Sequence, residues 1–274
     1  MRVAQLWRFP VKSLGGERID EVEVDDHGIV GDRWWGIVDV ATGTVLTARR
    51  APALLFAEAW LVGADSVAIR LPDGTEATDD RSLSHWLGRA VRLERAAPDR
   101  RGTYETALDF EHEAGSAWTM WQGPAGTFHD STQAQLSIVS LESIASLETL
   151  TSLEGTGPHK STGPVGCTGA VESTRRLDIR RFRPNVVVDV GAEDELIGSA
   201  VTLGTVTATV VKPLGRCVDT TRAQPGLSAE IDVLRAINLR KAGKLGVGAL
   251  VVKPGTISVG DAALVIRAPG ELAR

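Results

Sequence analysis

Apolar residues in this chain recur mainly at every second position or in short runs, a period that belongs to strands rather than helices. Val22 and Val24 alternate with acidic neighbours. Residues 34–40 are bulky and β-branched, Ala41-Thr42-Gly43 supplies a turn, and residues 44–48 run back, which predicts a hairpin. A second hairpin is predicted from residues 66–71 and 75–78 around Pro72-Asp73-Gly74. Ser82 can cap a short helix that runs to Leu87 and stops at Gly88, after which residues 91–95 alternate again. From 98 to 126 the pattern loosens around Pro98, Arg100-Arg101-Gly102 and the pair Trp118 and Trp121, and the stretch reads as a crossing between two lobes. A strand over 136–139 then leads to Leu141, Ile144, Leu147 and Leu150 at the spacing of an amphipathic helix. Residues 155–169, rich in Gly, Pro, Ser and Thr, read as a long loop of the functional kind. Strands return at 186–190, 200–203 and 206–211. Ser228 can cap a helix carrying Ile231, Leu234 and Ile237 and ended by Gly243, and residues 247–252 and 256–259 close the chain as a strand pair. The sum is a mainly β (α+β) protein with two or three helices, built as barrel or sandwich lobes over 1–97 and 127–270.

Composition narrows the functions open to such a fold. With 43% hydrophobic and 24% charged residues, the 274-residue chain can bury a core without staples. Its formal net charge is −5 and no Lys/Arg block stands out, so neither nucleic acid nor an anionic membrane is an expected partner. The start carries Arg2 and Arg8 and no long apolar stretch, which predicts neither a signal peptide nor a membrane anchor and points to the cytoplasm. Two cysteines, Cys167 and Cys217, exclude a disulfide framework and a four-thiolate metal site. No phosphate loop, nucleophile elbow or HExxH is present, and His27, His85, His112, His129 and His159 are scattered as surface or hydrogen-bonded residues would be. Asp25-Asp26 and Asp79-Asp80 read as solvated turns.

Four segments can carry chemistry. In Phe9-Pro10-Val11-Lys12-Ser13-Leu14-Gly15-Gly16, Lys12 and Ser13 can hold a phosphate-like anion, or the segment is an ordinary polar turn. Arg33, in Gly31-Asp32-Arg33-Trp34-Trp35, can offer its planar fork to an anion or pair locally with Asp32, and Arg49 lies on the returning strand of the same hairpin. Arg180-Arg181-Phe182-Arg183-Pro184-Asn185 is a cationic cluster in an acidic protein, either solvated or anion-binding, and Pro184 is expected to hold Arg183 extended. In Gly215-Arg216-Cys217-Val218-Asp219-Thr220-Thr221, Arg216 is expected to favour the Cys217 thiolate, the form that binds soft metals or attacks electrophiles. Thr220 and Thr221 can donate to a bound oxygen. The other reading of Cys217 is a small buried hydrophobe, and that is the reading for Cys167 in Gly166-Cys167-Thr168-Gly169.

These segments in this order resemble the MOSC family of molybdenum-cofactor proteins, in the two-part form with an N-terminal MOSC β-barrel domain to which the mitochondrial amidoxime-reducing component belongs. The resemblance also takes in Leu46-Thr47-Ala48-Arg49 and Pro254-Gly255-Thr256-Ile257-Ser258-Val259-Gly260-Asp261, and it spans nearly the whole chain. It implies a β-barrel MOSC domain preceded by a smaller β-barrel-like domain, with a molybdopterin-type molybdenum cofactor held between them. By the resemblance Cys217 is the metal ligand, with Thr220 and Thr221 close to the metal. Lys12, Ser13, Arg33, Arg49, Arg183, Asn185 and Arg216 hold the cofactor.

The implied activity is an oxidoreductase that reduces N-hydroxylated small molecules such as amidoximes and hydroxylamines. Its electrons would come from a separate flavin, haem or iron–sulfur protein. Sulfur transfer through a Cys217 persulfide and a non-catalytic cofactor carrier are the alternatives. The sequence departs from the family twice. Leu214 stands where relatives often have a second cysteine, and Ala223-Gln224-Pro225 replaces an acidic position, which leaves Cys217 the only thiol of its motif.

Overall fold

The computed structural model describes residues 1–108, 113–154 and 177–266. The expected loop at 155–169, with Cys167 and His159, lies outside the described residues, as does His112.

Eight strands form one curled sheet in the order Ala263–Ile266, Ala200–Leu203, Val206–Gly215, Lys244–Lys253, Leu136–Ser140, Val186–Val188, Val3–Arg8, Glu17–Ile19. Every neighbouring pair is antiparallel except Leu136–Ser140 with Val186–Val188, and the helix Leu141–Glu154 (α2) begins the connection between those two. Val186, Val187 and Val188 are all buried, as a strand covered on both faces requires. Register shifts at three places between Val206–Gly215 and Lys244–Lys253 bend the pair and curl the sheet. The helix Ile231–Lys241 (α3) packs Val233, Ala236 and Ile237 beside Ile144 and Leu147 of α2, against Val139 and Val187 of the sheet. Glu230 rather than Ser228 is the N-cap of α3. The Ser228 carbonyl instead accepts a 2.7 Å bond from Arg181 Nη2.

The other lobe is built from two-stranded ladders around Val11, Leu14, Trp35, Ile37, Leu54, Ile69 and Leu83. Its helix Asp80–Leu87 (α1) is capped by Asp79, which accepts from Ser82 N at 2.8 Å while Asp79 N donates to Ser82 Oγ. Ser82 is thus the third helical residue of a capping box, and Gly88 in the left-handed region ends the helix as expected.

Both expected hairpins turn back where the turn residues say, but their main ladders lie elsewhere. Trp35–Asp39 pairs with Val91–Arg95, while residues 44–46 return through Asp39 N→Thr44 O and Leu46 N→Ile37 O. Ser66–Arg70 pairs with Glu58–Val62. The stretch 98–126 is no loose crossing, because Arg101–Ala107 and Trp118–Ala125 form an antiparallel hairpin. Its inward positions are Gly102, Tyr104 and Gly123, and a Cβ on either glycine would lie within 2.7 Å of the Tyr104 ring or hydroxyl, so the glycines make room for that ring. Gly255–Ser258 leaves the neighbouring strand to pair with Glu21–Asp25, where Ile257 joins Val22 and Val24 in the core.

The division expected at residue 97 is not a division of the packing. Val3–Arg8 lies inside the sheet of the second lobe, and Val3, Leu6, Val22, Val24 and Ile29 belong to that lobe's core. No helix among the described residues is long and apolar enough to cross a membrane.

Candidate functional site

A cavity of about 1000 Å³ lies where the two lobes meet. Nine of the ten site residues expected from the sequence line it: Lys12, Ser13, Arg33, Arg49, Arg183, Asn185, Arg216, Cys217 and Thr220. Seven Lys or Arg residues and four acidic ones form its walls, in a chain whose net charge is −5. The excess positive charge suits an anionic ligand.

One group of these residues is cationic. Lys12 is 5% exposed, donates to Asp130 Oδ1 at 2.7 Å and lies 4.7 Å from the Tyr104 ring centroid. Burial pushes the Lys12 ammonium down, against the opposing pull of Asp130. Arg33 pairs with the buried Asp32, donates to the Arg183 carbonyl at 3.2 Å and stacks over Phe9. Arg183 stacks over the same ring, donates through Nη1 to Leu14 O at 2.5 Å and keeps its buried Nη2 without a partner among the described residues. Burial, with Arg33 beside it, holds Arg183 down at about 10. Arg183 is not extended as Pro184 led us to expect. Its φ is 49°, a left-handed turn that ends the Ile179–Arg181 turn of helix and is held by the bonds to Arg33 and Leu14. Ser13 at φ 68° and Arg33 at φ 53° share that conformation. Ser13 Oγ accepts from Ala48 N at 3.0 Å, which leaves its proton free to donate.

Asn185 is a tie between strands more than a ligand. Its Oδ1 accepts from Ser137 N and Oγ, and its Nδ2 reaches Trp7 O at 3.4 Å.

The second group surrounds Cys217, which begins the helical turn Val218–Thr221. The cation that bears most on its thiol is Arg49 rather than its neighbour Arg216. Arg216 spends Nε on Leu245 O at 2.8 Å and Nη1 on Phe182 O at 2.7 Å, bracing the loop against Lys244–Lys253 while its Nη2 keeps no partner among the described residues. The thiol is accordingly not lowered as expected. Burial pushes it up, Asp219 adds to the rise, and Arg49 offsets only part of it. Thr220 Oγ1 donates to the Cys217 carbonyl at 2.9 Å, and Thr221 Oγ1 to Val218 O at 2.8 Å. Both hydroxyl protons are therefore spent on the backbone, and Thr221 is outside the cavity wall. The four-residue turn satisfies its own carbonyls with the hydroxyls that the sequence offered to a ligand.

The MOSC N-terminal beta barrel domain matches residues 1–107, and the MOSC domain matches residues 125–263. The chain belongs to the MOSC family. That family includes molybdenum-cofactor-binding proteins, some of them enzymes. No curated protein matches this MOSC chain. Among solved structures it is similar to the YUAD protein from Bacillus subtilis, at 14% identity and TM-score 0.46 over 95% of this chain and 92% of that one. It is also similar to YiiM from Escherichia coli, at 11% identity and TM-score 0.41 over 98% and 71%. A third is YiiM from Geobacillus stearothermophilus, at 14% identity and TM-score 0.33 over 60% and 72%.

Sequence reasoning missed several residues that this MOSC cavity uses. His129, read as an ordinary scattered histidine, is 6% exposed, lies 3.6 Å from Asp32 and lines the wall. Burial holds its imidazole down at about 4, so it is neutral at pH 7. Asp130, Asp219, Glu113 and Tyr104 line the same wall. Only their place a few residues before the predicted strand 136–139 could have marked His129 and Asp130, and that is a weak signal. A molybdopterin fits the donor set. The buried Nη2 atoms of Arg183 and Arg216 and the Tyr104 hydroxyl have no partner among the described residues, the wall is cationic, and Cys217 offers a sulfur.

Proposed function

We propose that this protein holds a molybdopterin-type molybdenum cofactor in the cavity between its lobes and reduces N-hydroxylated small molecules. The observation that supports the reading is the convergence of Lys12, Ser13, Arg33 and Arg183 with Cys217 on one positively lined cavity. Bound there, the cofactor would supply a two-electron metal centre. Lys12, Arg33 and Arg183 would neutralise its terminal phosphate, and the free Ser13 proton would donate to the same group. Cys217 would give up its proton to offer sulfur to the metal. A thiol that burial and Asp219 hold protonated needs such a cation to ionise. Reduction of an N-hydroxylated substrate cleaves the N–O bond and takes two electrons and two protons, giving the amine or amidine and water. The electrons come from a separate flavin, haem or iron–sulfur protein, in a reducing cytoplasm that would keep the free Cys217 as a thiol.

The test is elemental analysis of protein purified from cells that make molybdopterin, wild type beside Cys217→Ala. Molybdenum near one per chain in the wild type, lost in the variant, is expected; equal metal in both removes Cys217 as the ligand. Benzamidoxime reduction with an artificial electron donor then separates a reductase from a carrier. Sulfur transfer needs a reactive thiolate, and the raised Cys217 thiol weighs against it.

A further inference from the structure

Arg49 and Cys217 come from different lobes, and something must hold a long, flexible arginine on a sulfur across that boundary. Arg49 lies within the turn closed by Arg50 N→Thr47 O and Ala51 N→Thr47 O. Among the described residues its guanidinium meets three groups. Nη1 donates to Thr106 Oγ1 at 2.7 Å, Nε lies 3.2 Å from Glu113 Oε1 as an ion pair rather than a hydrogen bond, and the cation bears on the Cys217 thiol in the cavity both residues line. Glu113 is the charged member of this set. Its Oε2 lies 3.5 Å from Nη2 of Arg222, which stands just past the Cys217 turn. Arg222 Nη2 also donates to the Arg49 carbonyl at 2.9 Å, and Arg222 Nε lies 3.3 Å from Asp219 Oδ1. One carboxylate, 12% exposed, therefore sits between an arginine of each lobe. A carboxylate ion-paired with two guanidinium groups away from bulk water holds both more firmly than either pair alone.

We propose that Glu113 is a positioning residue that holds the Arg49 guanidinium against the Cys217 sulfur and so sets the electron density that this sulfur gives a metal. The second half of that statement rests on the reading of Cys217 as metal ligand. A hydrogen-bonding cation on a ligand sulfur withdraws density and favours the reduced metal. Glu113 itself does not touch the sulfur.

Two measurements test it. The first is the midpoint potential of the molybdenum-loaded protein in a redox titration. Arg49→Met removes the cation and is expected to shift the potential downward. Glu113→Gln decides between two roles by its sign. A carboxylate acting only through its own charge would, once neutralised, let the potential rise. A carboxylate that acts by holding Arg49 lets it fall, as Arg49→Met does. A downward shift in Glu113→Gln supports the proposal; an upward shift or none overturns it. The second measurement needs no metal: hydrogen exchange at the Arg49 Nε–H in 15N-labelled protein. Exchange at least tenfold faster in Glu113→Gln is expected, with a smaller acceleration in Glu113→Asp, which keeps the charge but shortens the reach. Unchanged exchange in both variants overturns the proposal. The amide spectrum of each sample shows that the variant is folded, and should Glu113→Gln fail to fold, Glu113→Asp alone carries both readouts with the same signs. A wild type without molybdenum would sink the cofactor reading, while the exchange measurement would still decide whether Glu113 holds Arg49.

Discussion

Among the described residues, four non-glycine residues adopt a left-handed backbone, and three of them, Ser13, Arg33 and Arg183, line the cavity. That conformation costs roughly 1 kcal/mol or more for a residue with a Cβ, and it persists where surrounding bonds over-determine it. Arg33→Gly is therefore expected to be more stable than Arg33→Ala by about 1 kcal/mol in chemical denaturation, although both lose the same side chain. Equal stabilities would show that the turn carries no strain. His129 gives a second prediction. Its folded pKa of about 4 lies below the ordinary 6.5, so the unfolded chain binds the proton that the folded chain refuses. Its contribution is complete above pH 6.5 and shrinks as pH falls toward 4, by roughly 3 kcal/mol in all. Denaturation of wild type and His129→Gln across pH 4–7 should show a steeper acid loss in the wild type. Thr221→Val is expected to cost about 1 kcal/mol through the unpaired Val218 carbonyl while leaving substrate reduction intact. A large loss of activity would return Thr221 to the site. Residue types were legible where chemistry is intrinsic to the side chain, as for Lys12, Arg33 and Cys217. The direction of a hydroxyl proton or a guanidinium was not, which is why Thr221 looks like a ligand in sequence and acts on backbone in space, and why Arg216 gives two of its nitrogens to backbone.

At the scale of elements, aliphatic alternation located the strands Val206–Gly215 and Lys244–Lys253 and the helices α2 and α3. The hairpin of Arg101–Ala107 and Trp118–Ala125 was hidden because its inward residues are Gly102, Tyr104 and Gly123, none of which signals an aliphatic core. Ladder partners were also hidden, since turn residues fix where a chain reverses but not which strand it then meets. Gly246 shows how tightly one element backs the site. At φ 75°, a Cβ there would stand 2.8 Å from the Ile138 carbonyl and 3.0 Å from Arg216 Nη2. Gly246→Ala should destabilise the protein by more than about 1 kcal/mol and lower its molybdenum content, because the strand that braces Arg216 must shift. Asp79→Ala, at the far end of the other lobe, should cost a similar ~1 kcal/mol of stability and no molybdenum. The pair of variants, compared by thermal melting and metal analysis, separates damage to the brace from general loosening.

For the whole molecule, the lobes legible in sequence are real as cores but not as segments of chain. Val3–Arg8 takes its hydrogen bonds from Val186–Val188, and Glu21–Asp25 from Gly255–Ser258. A fragment beginning at residue 125 lacks these strands and is expected to show no cooperative unfolding by calorimetry, whereas the full chain should melt as a unit. A sharp transition in the fragment would contradict the shared sheet. The same pairing sets an order of events at the ribosome. Val188 is made roughly 180 residues after its partner Val3, which at translation speeds of 5–20 residues per second takes roughly ten to forty seconds. Through that interval Val3–Arg8 has its ladder to Glu17–Ile19 but lacks the one on its other edge, and the cavity has only one of its two walls. Nascent chains are therefore a natural client for a chaperone that binds short apolar stretches, and whatever fills the cavity must arrive after the wall around Cys217 and Asp219 has been made.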